Sequence, residues 1–137
     1  MIFKVTLDDG AYIPVKANKT DAGYDLFAVG DRLIPAGASA VIDTGVHIQM
    51  EDCCGMLISK SGLNVNHDIT STGLIDSGYR GSIKVKLYNN GLNPYEVHDG
   101  DKISQIVFVP YLSPILAVAD KLDDSDRGNK GFGSSGR

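Results

Sequence analysis

Residues 82–88 read Ser82-Ile83-Lys84-Val85-Lys86-Leu87-Tyr88. In an extended chain Ile83, Val85 and Leu87 fall on one side, and Ser82, Lys84, Lys86 and Tyr88 on the other. That is the period of a half-buried β-strand. The pattern recurs outward from this stretch. Residues 103–109, Ile-Ser-Gln-Ile-Val-Phe-Val, predict a more buried strand that stops at Pro110. Residues 111–119 predict another. Upstream, Ile2, Val5 and Leu7 predict a first strand. Val41, Ile42, Val46, Ile48 and Met50 form a second stretch broken at Gly45, and Met56-Leu57-Ile58 is a short apolar run. Sixteen glycines and five prolines, with Asn and Asp, interrupt nearly every window long enough for a helix. One helical turn is expected after Ser61, around Leu63 to Asn66. Strand and turn signals return about every 8–12 residues, which predicts an all-β sandwich, jelly roll or β-barrel with little or no helix.

The chain has 137 residues, the length of one domain. A fold of this size buries roughly 70% of the surface its unfolded chain exposes, so it needs no disulfide or structural metal. Thirteen Lys and Arg stand against seventeen Asp and Glu, a net charge of −4. This argues against a general nucleic-acid binder, which needs a positive field. It leaves room for a local basic pocket. No apolar run approaches the ~20 residues of a membrane span. The first ten residues lack the apolar block of a signal peptide. Cys53 and Cys54 are adjacent, and a disulfide between neighbours is strained. His47, His67 and His98 are scattered, without metal-ligand spacing. Reduced thiols without a leader predict a cytoplasmic protein.

Residues 123–137 change character. After Asp123-Asp124-Ser125-Asp126 the chain runs through Arg127-Gly128-Asn129-Lys130-Gly131-Phe132-Gly133-Ser134-Ser135-Gly136-Arg137. The expected division is therefore a β domain over 1–122 and a flexible Gly/Ser-rich segment over 123–137. Such a segment is either a loose terminus or a lid whose backbone and hydroxyls wrap an anion.

Four internal segments carry more Gly and polar residues than turns require. In Asp21-Ala22-Gly23-Tyr24-Asp25-Leu26, apolar neighbours fix Asp25 against the core, unless it only closes a turn. Ser59-Lys60-Ser61-Gly62-Leu63 offers two hydroxyls, a cation and a glycine for a phosphate, or a capped helix start. In Gly73-Leu74-Ile75-Asp76-Ser77-Gly78-Tyr79-Arg80-Gly81, an Asp follows a strand and leads into a hairpin with residues 82–88. Asp76 is then a general base or a turn former, and Tyr79 a flat platform for a sugar or base. In Gly100-Asp101-Lys102-Ile103-Ser104-Gln105, Gln105 sits on a buried strand and needs a partner, either a ligand phosphate or a backbone group.

These four segments and the tail RGNKGFGSSG resemble, in order, the five motifs of the trimeric dUTP pyrophosphatases, the dUTPase family. The resemblance runs from Asp21 to Gly136. It implies a jelly-roll or β-clip homotrimer with active sites shared between subunits. The implied reaction is hydrolysis of dUTP to dUMP and pyrophosphate with Mg²⁺. That reaction limits uracil incorporation into DNA and supplies dUMP for thymidylate synthesis. By the resemblance Asp76 activates water, and Tyr79 packs under the deoxyribose. Gly73, Ile75, Ile83 and Lys84 line the uracil, where a tight hairpin excludes a thymine methyl, and Phe132 caps it. Lys60, Ser61, Gly62, Gln105, Arg127, Gly133, Ser134 and Ser135 contact phosphates. Asp25 supports the metal and phosphate region. No direct protein ligand to Mg²⁺ is implied, since the triphosphate and waters hold it. The implied location is a bacterial cytosol, or a host cytosol if the chain is phage-encoded. No nucleic-acid or membrane partner is implied, and a regulatory protein partner stays open.

The chain departs from the family pattern at Lys60, where Arg is usual and carries a bidentate fork that Lys lacks. Asn64 to Thr72 is shorter than in many bacterial members, and Asn129-Lys130 lengthens the tail. A dCTP deaminase, or a bifunctional enzyme of the same superfamily, is the related alternative. The nearest acidic residue after Ser61 is Asp68, which is expected in a strand rather than at a base's position. A regulatory β module or a purely structural jelly roll are the readings from other classes. The last leaves Asp76, Tyr79 and the tail without a shared purpose.

Overall fold

The computed structural model describes residues 1–136. Among them the elements run β1 (Lys4–Leu7), β2 (Tyr24–Phe27), β3 (Arg32–Ile34), β4 (Ser39–Asp43), β5 (Val46–Gln49), β6 (Cys53–Ile58), α1 (Ser61–His67), β7 (Ile69–Ile75), β8 (Lys84–Asn89), β9 (Tyr95–Val97) and β10 (Lys102–Pro110). Six strands form one antiparallel sheet in the order β2-β10-β6-β7-β8-β4. It curls into a half-barrel, the β-clip arrangement. Two antiparallel ribbons, β1-β5 and β3-β9, complete the fold.

The alternation that predicted β8 is realised along it. Val85 and Leu87 are fully buried while Lys84, Lys86 and Tyr88 face outward. β4 repeats the pattern, burying Ala40 and Ile42. With Leu26, Ile34, Val46, Ile48, Ile69, Ile83, Ile103 and Ile106 these side chains make one core. Each buried Ile or Leu contributes roughly 1.5–3 kcal/mol. Polar groups inside are paired. Asn89, 1% exposed, donates to the carbonyls of Ile34 (3.0 Å) and Asn93 (2.8 Å) and accepts from the Gly91 N–H (3.0 Å). A serine seam joins three strands: Ser71 and Ser104 share a hydroxyl bond of 2.9 Å, and Ser104 donates to the Ile58 carbonyl at 3.1 Å.

Four expectations are corrected. Ile2 precedes β1 and is exposed. Asp68 lies in no strand; it caps the C-terminus of α1 in the left-handed region, with φ 54°. The turn expected near Leu63 is a helix of seven residues. Residues 111–119 form no strand: the chain runs on from Pro110 unpaired, with Leu112, Ile115, Leu116, Val118 and Leu122 all at least 84% exposed. Their apolar pattern is that of a strand, but among the described residues they meet no sheet edge or core.

Candidate active site

The site is built where β7 and β8 part. The expected hairpin exists, but its strands pair only at the end far from the turn, Ile69–Ser71 against Leu87–Asn89. Beyond that point Thr72–Ile75 pair with β6, and Lys84–Leu87 pair with β4. The hairpin is therefore open rather than tight. The opening is a cavity of about 170 Å³ lined by Leu74, Ile75, Asp76, Tyr79 and Lys84.

Asp76 follows the last residue of β7 and is exposed at this cavity. A turn closes behind it, with the Tyr79 N–H donating to the Asp76 carbonyl at 3.0 Å. The Tyr79 hydroxyl donates to the Ser82 carbonyl at 2.9 Å, which lays the ring across the loop. Gly81 sits under that ring, where a Cβ would collide with the phenol. The Arg80 guanidinium clasps the loop from within, donating to the carbonyls of Ser77 (2.7 Å) and Tyr79 (3.1 Å). Ile83 is fully buried and its backbone is engaged: its N–H donates to the Val46 carbonyl and its carbonyl accepts from Thr44. Gly73 lies on β7 against Leu57, and Lys84 opens β8 at the rim.

A second cluster forms where β2, β6 and β10 meet. Asp25, 4% exposed, is held by two cations: Lys60 bonds one carboxylate oxygen, and Lys102 stands 2.9 Å from the other. Burial alone pushes this carboxyl up. The hydrogen bonds and charges of Lys60 and Lys102 outweigh burial and hold it below the usual carboxylate range. Gln105 lies opposite Asp25 and Ile58 and donates to the Ser59 carbonyl at 3.2 Å, so its partner is backbone. Its side chain packs on Gly23, where a Cβ would come within 2.6 Å of the Gln105 amide oxygen. Ser61 and Gly62 open α1 beside this cluster and are exposed. A Cβ at Gly62 would touch nothing in this chain.

The structure brings Asp76, Ile75, Tyr79 and Lys84 together, and separately Asp25, Lys60 and Gln105. It does not bring these two groups together. Ile75 pairs with Gly55 in the first half of β6, while Lys60 follows its end. Five residues of extended chain separate them, roughly 16 Å. The tail is apart from both. Arg127, Phe132, Gly133, Ser134 and Ser135 are exposed. Among the described residues the tail's hydrogen bonds are internal, as from Arg127 to the carbonyls of Lys130 (3.0 Å) and Gly131 (2.6 Å). Arg137, the last residue of the expected lid, lies outside the described residues.

The sequence reading passed over Lys102 as a site residue, and over His47, Asp43 and Ser82 as supports of the Asp76 loop. Lys102 had a signal: a buried Asp needs a cation, and Lys102 precedes the strand that carries Gln105. The other three had none, because their contacts join β4 and β5 to a loop some 35 residues away.

The model of the dUTPase family matches residues 9–136. The chain belongs to the dUTPase family. As a member it is a nucleotide hydrolase. A deoxyuridine 5′-triphosphate nucleotidohydrolase of Clostridium acetobutylicum is 41% identical over 134 residues, covering 95% of this chain and 92% of the relative. A mutant dUTPase of Staphylococcus bacteriophage 80alpha with dUpNHpp superimposes with a TM-score of 0.91 at 30% identity, covering 99% of each chain. A mutant dUTPase of the S. aureus phage phi11, described for its structural Mg(II) ion, gives 0.83 at 27% identity, covering 90% of this chain and all of that one. No helix among the described residues is long and apolar enough to cross a membrane.

Proposed function

We propose that this dUTPase-family chain hydrolyses dUTP to dUMP and pyrophosphate, with Asp76 as the base. The observation that carries the reading is the exposed Asp76 carboxylate at the mouth of the β7–β8 opening, with the Tyr79 ring held beside it. The uracil enters between the parted strands, where backbone polar groups of residues 72–75 and 84–86 face one another without a ladder between them. Tyr79 lies under the deoxyribose. Asp76 accepts a proton from water; the water oxygen bonds phosphorus, the α–β anhydride P–O bond breaks, and pyrophosphate leaves with the electron pair. A proton later lost from Asp76 to solvent resets the base.

Ser61, Gly62 and Gln105, with Arg127, Gly133, Ser134 and Ser135 of the tail, are the phosphate contacts of this reading, and Phe132 the cap on uracil. The bare space at Gly62 supports close approach of an anion. Lys60 and Lys102 are committed to Asp25, so Lys60 acts on phosphates as a shared charge and not as a fork. Mg²⁺ fits as a partner of the triphosphate. Asp76 is the one carboxylate lining the cavity, and Asp25 is already paired. The ion neutralises charge on the triphosphate when bound. Residues 123–137 act as a lid that excludes water.

The sites are shared in a homotrimer. The roughly 16 Å between Ile75 and Lys60 within one chain, and the unpaired apolar row 112–122, both support assembly. The test is pyrophosphate release from dUTP, dTTP, dCTP and UTP, each with Mg²⁺ and with EDTA. Fast Mg²⁺-assisted release from dUTP alone is expected. Asp76→Asn is expected to lower turnover about 10²–10⁴-fold with nucleotide binding retained. Comparable turnover by that variant sinks the role of Asp76.

A further inference from the structure

His47 lies on β5 and reaches the Asp76 loop. Its two ring nitrogens face two oxygens: Nδ1 stands 2.7 Å from the Arg80 carbonyl, and Nε2 stands 2.9 Å from a carboxylate oxygen of Asp8. Both oxygens are acceptors. A neutral imidazole has one N–H and one bare lone pair, so it can satisfy one of them and must present a lone pair to the other. Only the imidazolium donates to both.

The Arg80 end matters for position. From outside the loop, among the described residues, two side-chain hydrogen bonds reach residues 77–81: the His47 bond, and a 3.0 Å bond between the hydroxyls of Ser77 and Tyr111. The remaining anchors lie further on, from Ser82 to Asp43 and from Ile83 to Val46 and Thr44. The Arg80 guanidinium folds back on Ser77 and Tyr79. Holding the Arg80 carbonyl therefore holds the peptide between the Tyr79 ring and Gly81. The charged groups around the ring are Asp8 after β1, Asp43 at the end of β4, and the cations Lys4 and Arg80, which line the same hollow as His47. The bond to the Arg80 carbonyl, then the bond and charge of Asp8 and the charge of Asp43, favour the proton and outweigh partial burial, so the ring holds it above the ordinary imidazole range.

We propose that His47 is a positioning residue for the Asp76–Tyr79 loop: as an imidazolium it bridges the Asp8 carboxylate to the Arg80 carbonyl, and the loop loosens when the ring loses its proton. The proposal rests on the dUTP-hydrolysis reading for its effect on turnover, and on the ring geometry alone for the bridge. A group whose folded pKa is raised contributes fully below its unfolded value, about 6.5. The contribution is lost as pH rises through the folded value.

Two measurements on the full chain test it. Ring nitrogens are titrated by NMR without substrate, and kcat and KM on Mg·dUTP are taken from pH 6 to 9 for the wild type, His47→Gln and Asp8→Asn. The ring is expected to carry two protons at pH 6 and to titrate above the ordinary range, at lower pH in Asp8→Asn. The ratio of kcat/KM between wild type and His47→Gln is expected to be about tenfold at pH 6 and to approach one at pH 9. In Asp8→Asn the same change is expected at lower pH. A neutral ring at pH 6 overturns the bridge whether or not the chain hydrolyses dUTP. With turnover present, a ratio independent of pH overturns the positioning role, because a merely structural histidine gives a constant factor.

Discussion

Asp25 shows how one residue's environment decides its part. A carboxylate this buried survives as an ion only when cations face it, and Lys102 supplies one from the start of the neighbouring β10 and Lys60 the other from the loop between β6 and α1. Its folded pKa lies below the unfolded value of about 3.9, so its contribution is complete above that value and fades as pH falls through the folded one. Asp25→Asn is expected to destabilise the chain by about 2–3 kcal/mol at pH 7, discounted from a fully buried pair because Lys102 is nearly half exposed. Urea melts at pH 7 and pH 3 check this; the deficit should shrink at pH 3, and an equal deficit at both would detach it from the ion pairs. The same contacts explain the Lys60 departure. A lysine's point charge suits a shared role between a buried carboxylate and a passing anion, where a fork would be half used.

At the scale of elements, the strands with a clean two-residue period were legible: β8, β10 and the pair β4 and β5 stand where Ile83–Leu87, Ile103–Val109 and Val41–Met50 placed them. β7 was legible only as the strand that Asp76 follows, and β2 was hidden inside the Asp25 segment, because a site strand carries Gly and polar residues that blur the period. The open end of the β7–β8 hairpin was not legible either. Nothing in residues 73–85 announces that Thr72–Ile75 will pair with β6 instead, since pairing partners are a long-range choice. Residues 111–119 misled for the opposite reason: the apolar run is real, but no strand among the described residues pairs with it. The site's residue types were legible in order along the chain, while the supports at Asp43, His47 and Ser82 follow from tertiary contact alone. The tail is the element whose role is most open to trial. Its glycines and its freedom from the body suit a segment that closes and reopens. Removal of residues 127–137 is expected to cut dUTP turnover at least tenfold while leaving the elution volume of the assembly unchanged. An unchanged rate would leave it a loose terminus.

The whole molecule is unfinished as a single chain. Leu112, Ile115, Leu116, Val118 and Leu122 are all exposed in the segment beyond β10, and apolar side chains gathered on a surface mark a place where a partner docks. In the trimer proposed here a neighbouring chain covers it. Light scattering is expected to give three times the chain mass, and Ile115→Asp with Leu116→Asp to shift the protein to monomer with turnover lost. A monomeric wild type would remove the shared site.

The distance along β6 has a further consequence. If Asp76 and Lys60 of one chain serve different sites, a lesion at one end of that strand spares the neighbour's use of the other end. Two copies inactive for different reasons can then rebuild a working site between them. Intragenic complementation becomes natural for this fold, and the gene and the catalytic unit are no longer the same object.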